Sequence, residues 1–387
     1  MVRISKELLT ASTLALALLV SNAPSAKAQE VRPGVWAGSK VEGLPLPTQG
    51  YQVYLLGELH GIEETADFLL QYLALLHKTS GLRDVALEEK GVYQEQAQAY
   101  VEGRSDTLPE SLCLRAGILG RIRTLNAGLP NAERIRVHLV DVDSPAPAIR
   151  QHLIALKKQI PQAAGVSIPA ADEIKKRGLQ TVAQLKRFPL DARTTSELRT
   201  VEYSIRAYQQ GFEVDIGLGK GSPYLEDREQ AVASNIADLV RTPEIGSLLA
   251  LYGADHVSRA MRTDGGPGRD QPFAPMALRL QQAGGKIFCT ETLPLAGNTF
   301  WRGRHQPVYY EAKDNRLASG ETLDKVLASA PQAHFIYVPQ RQRVVLAPQD
   351  ANKRVIDALI LFPSGTPMTN HCPARPSQIK PSKTPGD

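Results

Sequence analysis

The chain has 387 residues, 42% apolar, 22% charged and 6% aromatic, and its 45 Lys and Arg against 40 Asp and Glu give a formal charge of +5. That balance excludes a disordered tail protein, a collagen-like repeat and a cysteine-stapled miniature. The basic excess is mild and no long Lys/Arg run accompanies the 30 Gly and 27 Pro, which speaks against a nucleic-acid partner.

At the start, Arg3 and Lys6 precede an apolar run from Leu14 to Val20, and Ala26-Lys27-Ala28 supplies the small residues a signal peptidase reads. Residues 1–28 therefore read as a secretory signal cleaved before Gln29. The run is shorter than the roughly 20 apolar residues of a spanning helix. No Cys follows it, so no lipid anchor is indicated. Losing Arg3, Lys6 and Lys27 together with Glu7 lowers the charge from +5 to +3. The expectation is a periplasmic or secreted protein with no stable membrane insertion after cleavage.

From residue 29 to 372 the pattern is that of one α/β domain, a mostly parallel central sheet flanked by helices. Gln52 to Leu59 is a short apolar run ending in a charged turn. Ile62 to Lys78 then shows helical periodicity through Phe68, Leu69, Tyr72, Leu73, Leu75 and Leu76, with Gly81 placed to end the helix. Asp84 to Glu88, Ile135 to Val142, Ser247 to Tyr252 and Lys286 to Thr290 read as further strands, as do His334 to Val338 and Val355 to Phe362. Strands separated by helical stretches imply parallel crossovers. Between residues 146 and 212 the stripes Ile149, Leu153, Leu156, Ile160 and Leu198, Val201, Ile205, Tyr208 predict a helical insertion, either a cap over a pocket or a purely structural subdomain. Residues 373–387, rich in Pro, Lys and Ser, read as a disordered tail.

Candidate functional residues sit where strands end, the usual place for ligands in such sheets. The first strand runs into Gly57-Glu58-Leu59-His60-Gly61, with Glu63 and Glu64 at the mouth of the next helix. A later strand ends in Gly253-Ala254-Asp255-His256. Both are Gly-x-x-His, and both should carry an imidazole over the same sheet edge. Leu87-Glu88-Glu89 adds carboxylates at equivalent depth. On a helix from Leu225 to Val240, Arg228, Val232, Asn235 and Leu239 share one face, so a guanidinium and an amide need polar partners there. Arg228 either makes a local salt bridge to Glu229 or Asp238, or it holds Glu58 or Glu88 ionised or binds an anionic part of the substrate.

Other chemistries find less footing. There is no Gly-x-Ser-x-Gly elbow and no His-Glu-x-x-His. Gly217-Leu218-Gly219-Lys220-Gly221 lacks the spacing and the Ser/Thr of a phosphate loop. Of the three cysteines, Cys289 lies in an apolar strand, Cys113 and Cys372 are the better disulfide pair, and none has zinc-ribbon spacing. His305 near Trp301, with Tyr309 and Tyr310, reads as a surface loop or a pocket lining. His77, His138, His152, His334 and His371 carry no assignment.

Together, Gly57-Glu58-Leu59-His60-Gly61, Leu87-Glu88, the Arg228-to-Asn235 helix and Gly253-Ala254-Asp255-His256 resemble the superfamily of erythromycin esterases, ChaN-like haem-binding proteins and Tiki metalloproteases. His60-Gly61-Ile62-Glu63-Glu64 is similar to the esterases' His-Gly-x-x-Glu, and Asp357-Ala358-Leu359-Ile360-Leu361-Phe362-Pro363 to the last strand of ChaN-like members. Glu229 stands where such families often carry Asp or Asn, and Val232 where they often carry Met. The resemblance implies a hydrolase acting on a small-molecule or peptide substrate, with His60 as general base, Glu58 or Glu88 orienting it, and His256 and Arg228 completing the site. Glu64, Asn235 and Asp255 would contact substrate. In the metalloprotease version His60, His256 and Glu88 (or Glu58) would bind a divalent ion such as manganese, cobalt or zinc. In the ChaN-like version His or Tyr would ligate haem without catalysis.

Overall fold

The computed structural model describes residues 28–211, 223–263, 272–301, 304–307, 311–341, 344–346 and 354–369. Residues 1–27 of the signal segment, the Gly217–Gly221 stretch, Cys372 and the 373–387 tail lie outside them, as do the side chains of Trp301, His305, Tyr309 and Tyr310.

A nine-stranded sheet forms the centre. Its strands in chain order are β1 (Gln29–Arg32), β2 (Val35–Gly38), β3 (Val53–Glu58), β4 (Asp84–Lys90), β5 (Arg136–Asp141), β6 (Leu248–Gly253), β7 (Ile287–Pro294), β8 (Phe335–Val338) and β9 (Ala358–Phe362). In space they run β1-β2-β8-β9-β7-β3-β6-β4-β5. From β9 to β5 all neighbours pair in parallel, whereas β1, β2 and β8 form an antiparallel edge. Residues in β3, β6 and β7 are buried throughout. That burial explains their continuous apolar runs, since a parallel sheet is covered on both faces.

Nine helices are described: α1 (Glu63–Ser80), α2 (Gln94–Val101), α3 (Ala116–Ala127), α4 (Ala146–Gln159), α5 (Ile174–Leu185), α6 (Ala192–Gln209), α7 (Pro223–Arg241), α8 (Met276–Gln282) and α9 (Leu323–Ala328). The stripe expected over residues 62–78 is α1, which buries Phe68, Leu69, Tyr72, Leu73 and Leu76 and stops at Gly81 with φ 70°. One apolar core lies between the sheet and α7 with α8, through Val232, Ile236, Met276 and Leu280; a second lies under α1 and α3 on the other face. Helices α4 to α6 make a third core of their own, around Ile149, Leu153, Leu156, Ile174, Val182, Leu198 and Ile205.

The strand order changes direction around β3. Chain entering from β3 goes to β4 on one side, while β7 lies on the other. The carboxyl ends of β3, β4 and β6 therefore open onto one crevice, the place where such sheets bind ligands.

Candidate functional site

The β3 end delivers Glu58 and, two residues on, His60. The backbone there is pinned by Gly61, whose φ of 82° and close approach to the Phe300 backbone leave no room for a side chain. The Gly61 carbonyl accepts hydrogen bonds from the Phe300 and Met368 amides at 3.0 and 2.9 Å. Glu58 is buried, and its Oε1 lies 2.7 Å from His60 Nδ1 and 2.6 Å from Arg115 Nη1. Burial works against the ionised Glu58, but the Arg115 guanidinium and the His60 ring outweigh it and bring the carboxyl down to about 2. An ionised carboxylate only accepts hydrogen bonds, so His60 carries its proton on Nδ1 and presents the Nε2 edge to the crevice. Of the two site imidazoles, His60 is the more exposed, at 23% against 12% for His256.

Strand β4 brings two adjacent carboxylates to the same edge. Its pairing with β5 slips between Leu87 and Lys90. Such a bulge re-aims side chains at a strand end. Glu88 Oε1 accepts from Arg228 Nη2 at 2.5 Å, and Glu88 Oε2 accepts from the Gly253 amide at 2.7 Å. Glu88 Oε2 also stands 3.8 Å from His60 Nε2. Burial again opposes the charge, yet His60, His256 and Arg228 hold Glu88 well below the usual carboxylate range. Glu89 is different. Burial pushes its carboxyl up to about 7, and its nearest cation is Arg115 Nε at 3.5 Å.

On α7, Arg228 and Glu229 both reach the crevice. Arg228 Nε donates to Asp141 Oδ1 at 2.9 Å and Nη2 to Asp141 Oδ2 at 2.5 Å, so the guanidinium bridges the ends of β4 and β5. Glu229, fully buried, accepts from the Met276 amide at 2.6 Å and bonds His256 Nδ1. Burial and the Arg228 guanidinium disfavour charge on His256, but Glu229 outweighs them and raises the ring to about 9. His256 Nε2 lies 3.5 Å from Glu88 Oε1.

Five residues singled out from sequence (Glu58, His60, Glu88, Arg228 and His256) thus converge. Of the alternatives open for Arg228, the pairing with Glu88 is the one observed, with Asp141 as a second acceptor, while Glu58 is held by Arg115. Glu64, Asn235 and Asp255 are engaged elsewhere. Glu64 accepts from the Thr366 amide at 2.8 Å; Asn235 donates to the Val140 carbonyl at 3.0 Å and accepts from Thr200; Asp255 pairs with Arg262 and Arg354. Arg115, Asp141 and Glu229 were missed as site residues. Glu229 stood out in the sequence as a possible partner of Arg228 and as a departure from the family pattern, and it is the residue bonded to His256.

A divalent ion does not fit this donor set. Both oxygens of Glu88 are taken, by a guanidinium and an amide, and Arg228 Nη1 lies 3.3 Å from His256 Nε2. The cation at the centre of the site is arginine. Among the described residues, no group of three or more His, Cys, Asp or Glu side chains is arranged to hold a metal ion.

Cys113 is disulfide-bonded and Cys289 is a buried free thiol. Among the described residues no helix is long and apolar enough to cross a membrane.

The sequence matches no family model and no curated protein. By shape, an erythromycin esterase mutant in its open conformation superposes with a TM-score of 0.59 at 13% identity, over 83% of this chain and 93% of that one. A Bacillus cereus protein gives 0.59 at 14% identity, over 84% and 91%. A succinoglycan biosynthesis protein gives 0.58 at 12% identity, over 83% and 89%. The chain has the α/β fold of the erythromycin esterase structure.

Proposed function

We propose that this protein is an exported hydrolase that uses His60 as a metal-independent general base to cleave an ester or amide with water. The observation that carries the reading is the chain Arg115–Glu58–His60, which fixes the imidazole tautomer beside the crevice. A carboxylate behind a histidine stabilises the imidazolium that forms when the ring takes a proton. Water gives its proton to His60 Nε2 as its oxygen adds to the acyl carbon. The developing oxyanion meets the charged His256 ring and Arg228, fixed cations that need no reorganisation. As the acyl–heteroatom bond breaks, the proton on His60 passes to the leaving group. Glu88 acts on placement: it holds Arg228 and the Gly253 amide in register.

Export is supported by the basic, apolar and small-residue order of the leader and by the disulfide at Cys113, because disulfides persist in oxidising compartments. The fold likeness makes a macrocyclic ester such as erythromycin the first substrate to test, together with simpler esters and amides.

The wild type is expected to hydrolyse a member of that panel, and His60→Ala to lower kcat/KM by about a hundredfold or more with an unchanged circular dichroism spectrum. Copurification of haem, with a Soret band lost on substituting a His or Tyr, would replace this reading by the haem-carrier one.

A further inference from the structure

Outside the crevice lies a buried imidazole between carboxylates. His152 on α4 places Nδ1 2.6 Å from Asp143 Oδ2 and Nε2 3.8 Å from Glu197 Oε2 on α6. Asp143 and His152 are 1% and 6% exposed. Burial lowers the proton affinity of the ring, but Asp143 and Glu197 outweigh it and raise His152 to about 9. Behind Glu197 stands Arg193, 2.8 Å away on the same helix.

The other bonds of Asp143 lead to the site. Its Oδ1 accepts from the Val92 amide at 3.0 Å, and its own amide donates to Ser204 Oγ on α6 at 2.9 Å. Val92 lies in the short turn Gly91–Tyr93 that leaves the β4 bulge, three residues beyond Glu89. The turn packs on the ring: a Cβ at Gly91 would lie 3.6 Å from His152 Cε1. A second line of bonds runs from α6 to α7. The Thr200 hydroxyl donates to Asn235 Oδ1 at 2.9 Å, and Arg199 Nη2 to Asp238 Oδ2 at 2.7 Å. Seven residues before Asn235 on α7 is Arg228.

We propose that His152 is a positioning residue for the site: its ring ties α4 and α6 to the turn after β4, so that the helical insertion clamps Glu88 on one side and the Arg228 helix on the other. The catalytic consequence rests on the hydrolytic reading, but the clamp itself does not. Helices α4 to α6 already share an apolar core, so the insertion can pack without a buried ion pair. Burying one is costly, and its best-attested use is to fix a register. Here the register is that of the insertion against the strand carrying Glu88.

Amide hydrogen exchange of the full chain, wild type against His152→Gln, tests this without a substrate. The Val92 and Gly253 amides should exchange about tenfold faster or more in the variant, while amides of β3 stay within about twofold. The Gly253 amide is the telling one, because its acceptor is Glu88. Faster exchange at Val92 with Gly253 unchanged would overturn the proposal, as would no change at either. If His152→Gln fails to fold, Glu197→Gln removes the weaker, partly exposed end of the strut, and the same two amides decide. Given a substrate, His152→Gln should lower kcat several-fold with KM unchanged, and an equal loss in both Arg228→Lys and the double variant would mark one shared path. Loss of exchange protection without any hydrolysis by the wild type would sink the hydrolytic reading and leave the clamp standing.

Discussion

A side chain at position 253 would have to stand between the two imidazoles: its Cβ would meet His60 Nε2 at 3.1 Å and His256 Cδ2 at 3.3 Å. Gly253 has φ −55° and ψ 143°, a conformation open to any residue, so its lack of a side chain matters for space alone. Gly253→Ala is therefore expected to keep the melting temperature within a few degrees and to lower kcat/KM by about tenfold or more through displaced rings. Normal activity in that variant would show that the rings do not need their present spacing. The charge on His256 makes a second prediction. The ring is raised from 6.5 to about 9, so its interaction with Glu229 is fully present below 6.5 and is lost as pH rises through about 9. On the proposed hydrolysis, activity should fall along the same alkaline limb, and His256→Gln should remove the limb and lower the rate. Residue by residue, the sequence showed Glu58, His60, Glu88, Arg228 and His256 because each stands at a strand end or on an amphipathic face. Arg115 and Asp141 gave no such signal. Arg115 sits in a 3-10 turn without periodicity, and Asp141 closes an apolar strand that reads as core.

Two irregular elements help to aim the site. The β4 bulge turns Glu88 and Glu89 towards different arginines, and the turn Glu110–Arg115 brings Arg115 under β3. The Glu58–Arg115 pair should be visible in acid stability. Glu58 is brought from 4.5 to about 2, so its contribution is present above 4.5 and is lost as pH falls through about 2. Arg115→Met leaves a buried carboxylate without its guanidinium and should cost on the order of 3–5 kcal/mol at neutral pH. The variant's acid unfolding, followed by circular dichroism, should begin at a higher pH than that of the wild type. An unmoved acid transition would mean that the pair contributes nothing to the fold. Bulges and 3-10 turns leave no period-2 or period-3.6 trace, which is why the carboxylates at β4 were legible but not their directions.

At the scale of the molecule, the parallel strands from β9 to β5 and helices α1, α4, α6 and α7 were legible, because long buried strands and broad apolar stripes write themselves into composition. The β1–β2 hairpin, α2 and α3 were not. The hairpin strands have four residues each, too few for a pattern, and α2 buries only Ala97 and Val101. The sequence also left the helical insertion as either a cap or a separate subdomain. Its helices have an apolar core of their own, and a part-buried hydrogen bond from Thr200 to Asn235 joins it to α7.

In the proposed hydrolysis a histidine–carboxylate base works with arginine, not a metal ion, at the centre of the site. The most direct test measures turnover and metal content on one sample, before and after exhaustive chelation. The wild type should keep its full rate with less than about a tenth of a metal equivalent per chain, and His60→Ala should stay inactive whatever ion is added. Loss of activity on chelation, restored by manganese, cobalt or zinc, would contradict it.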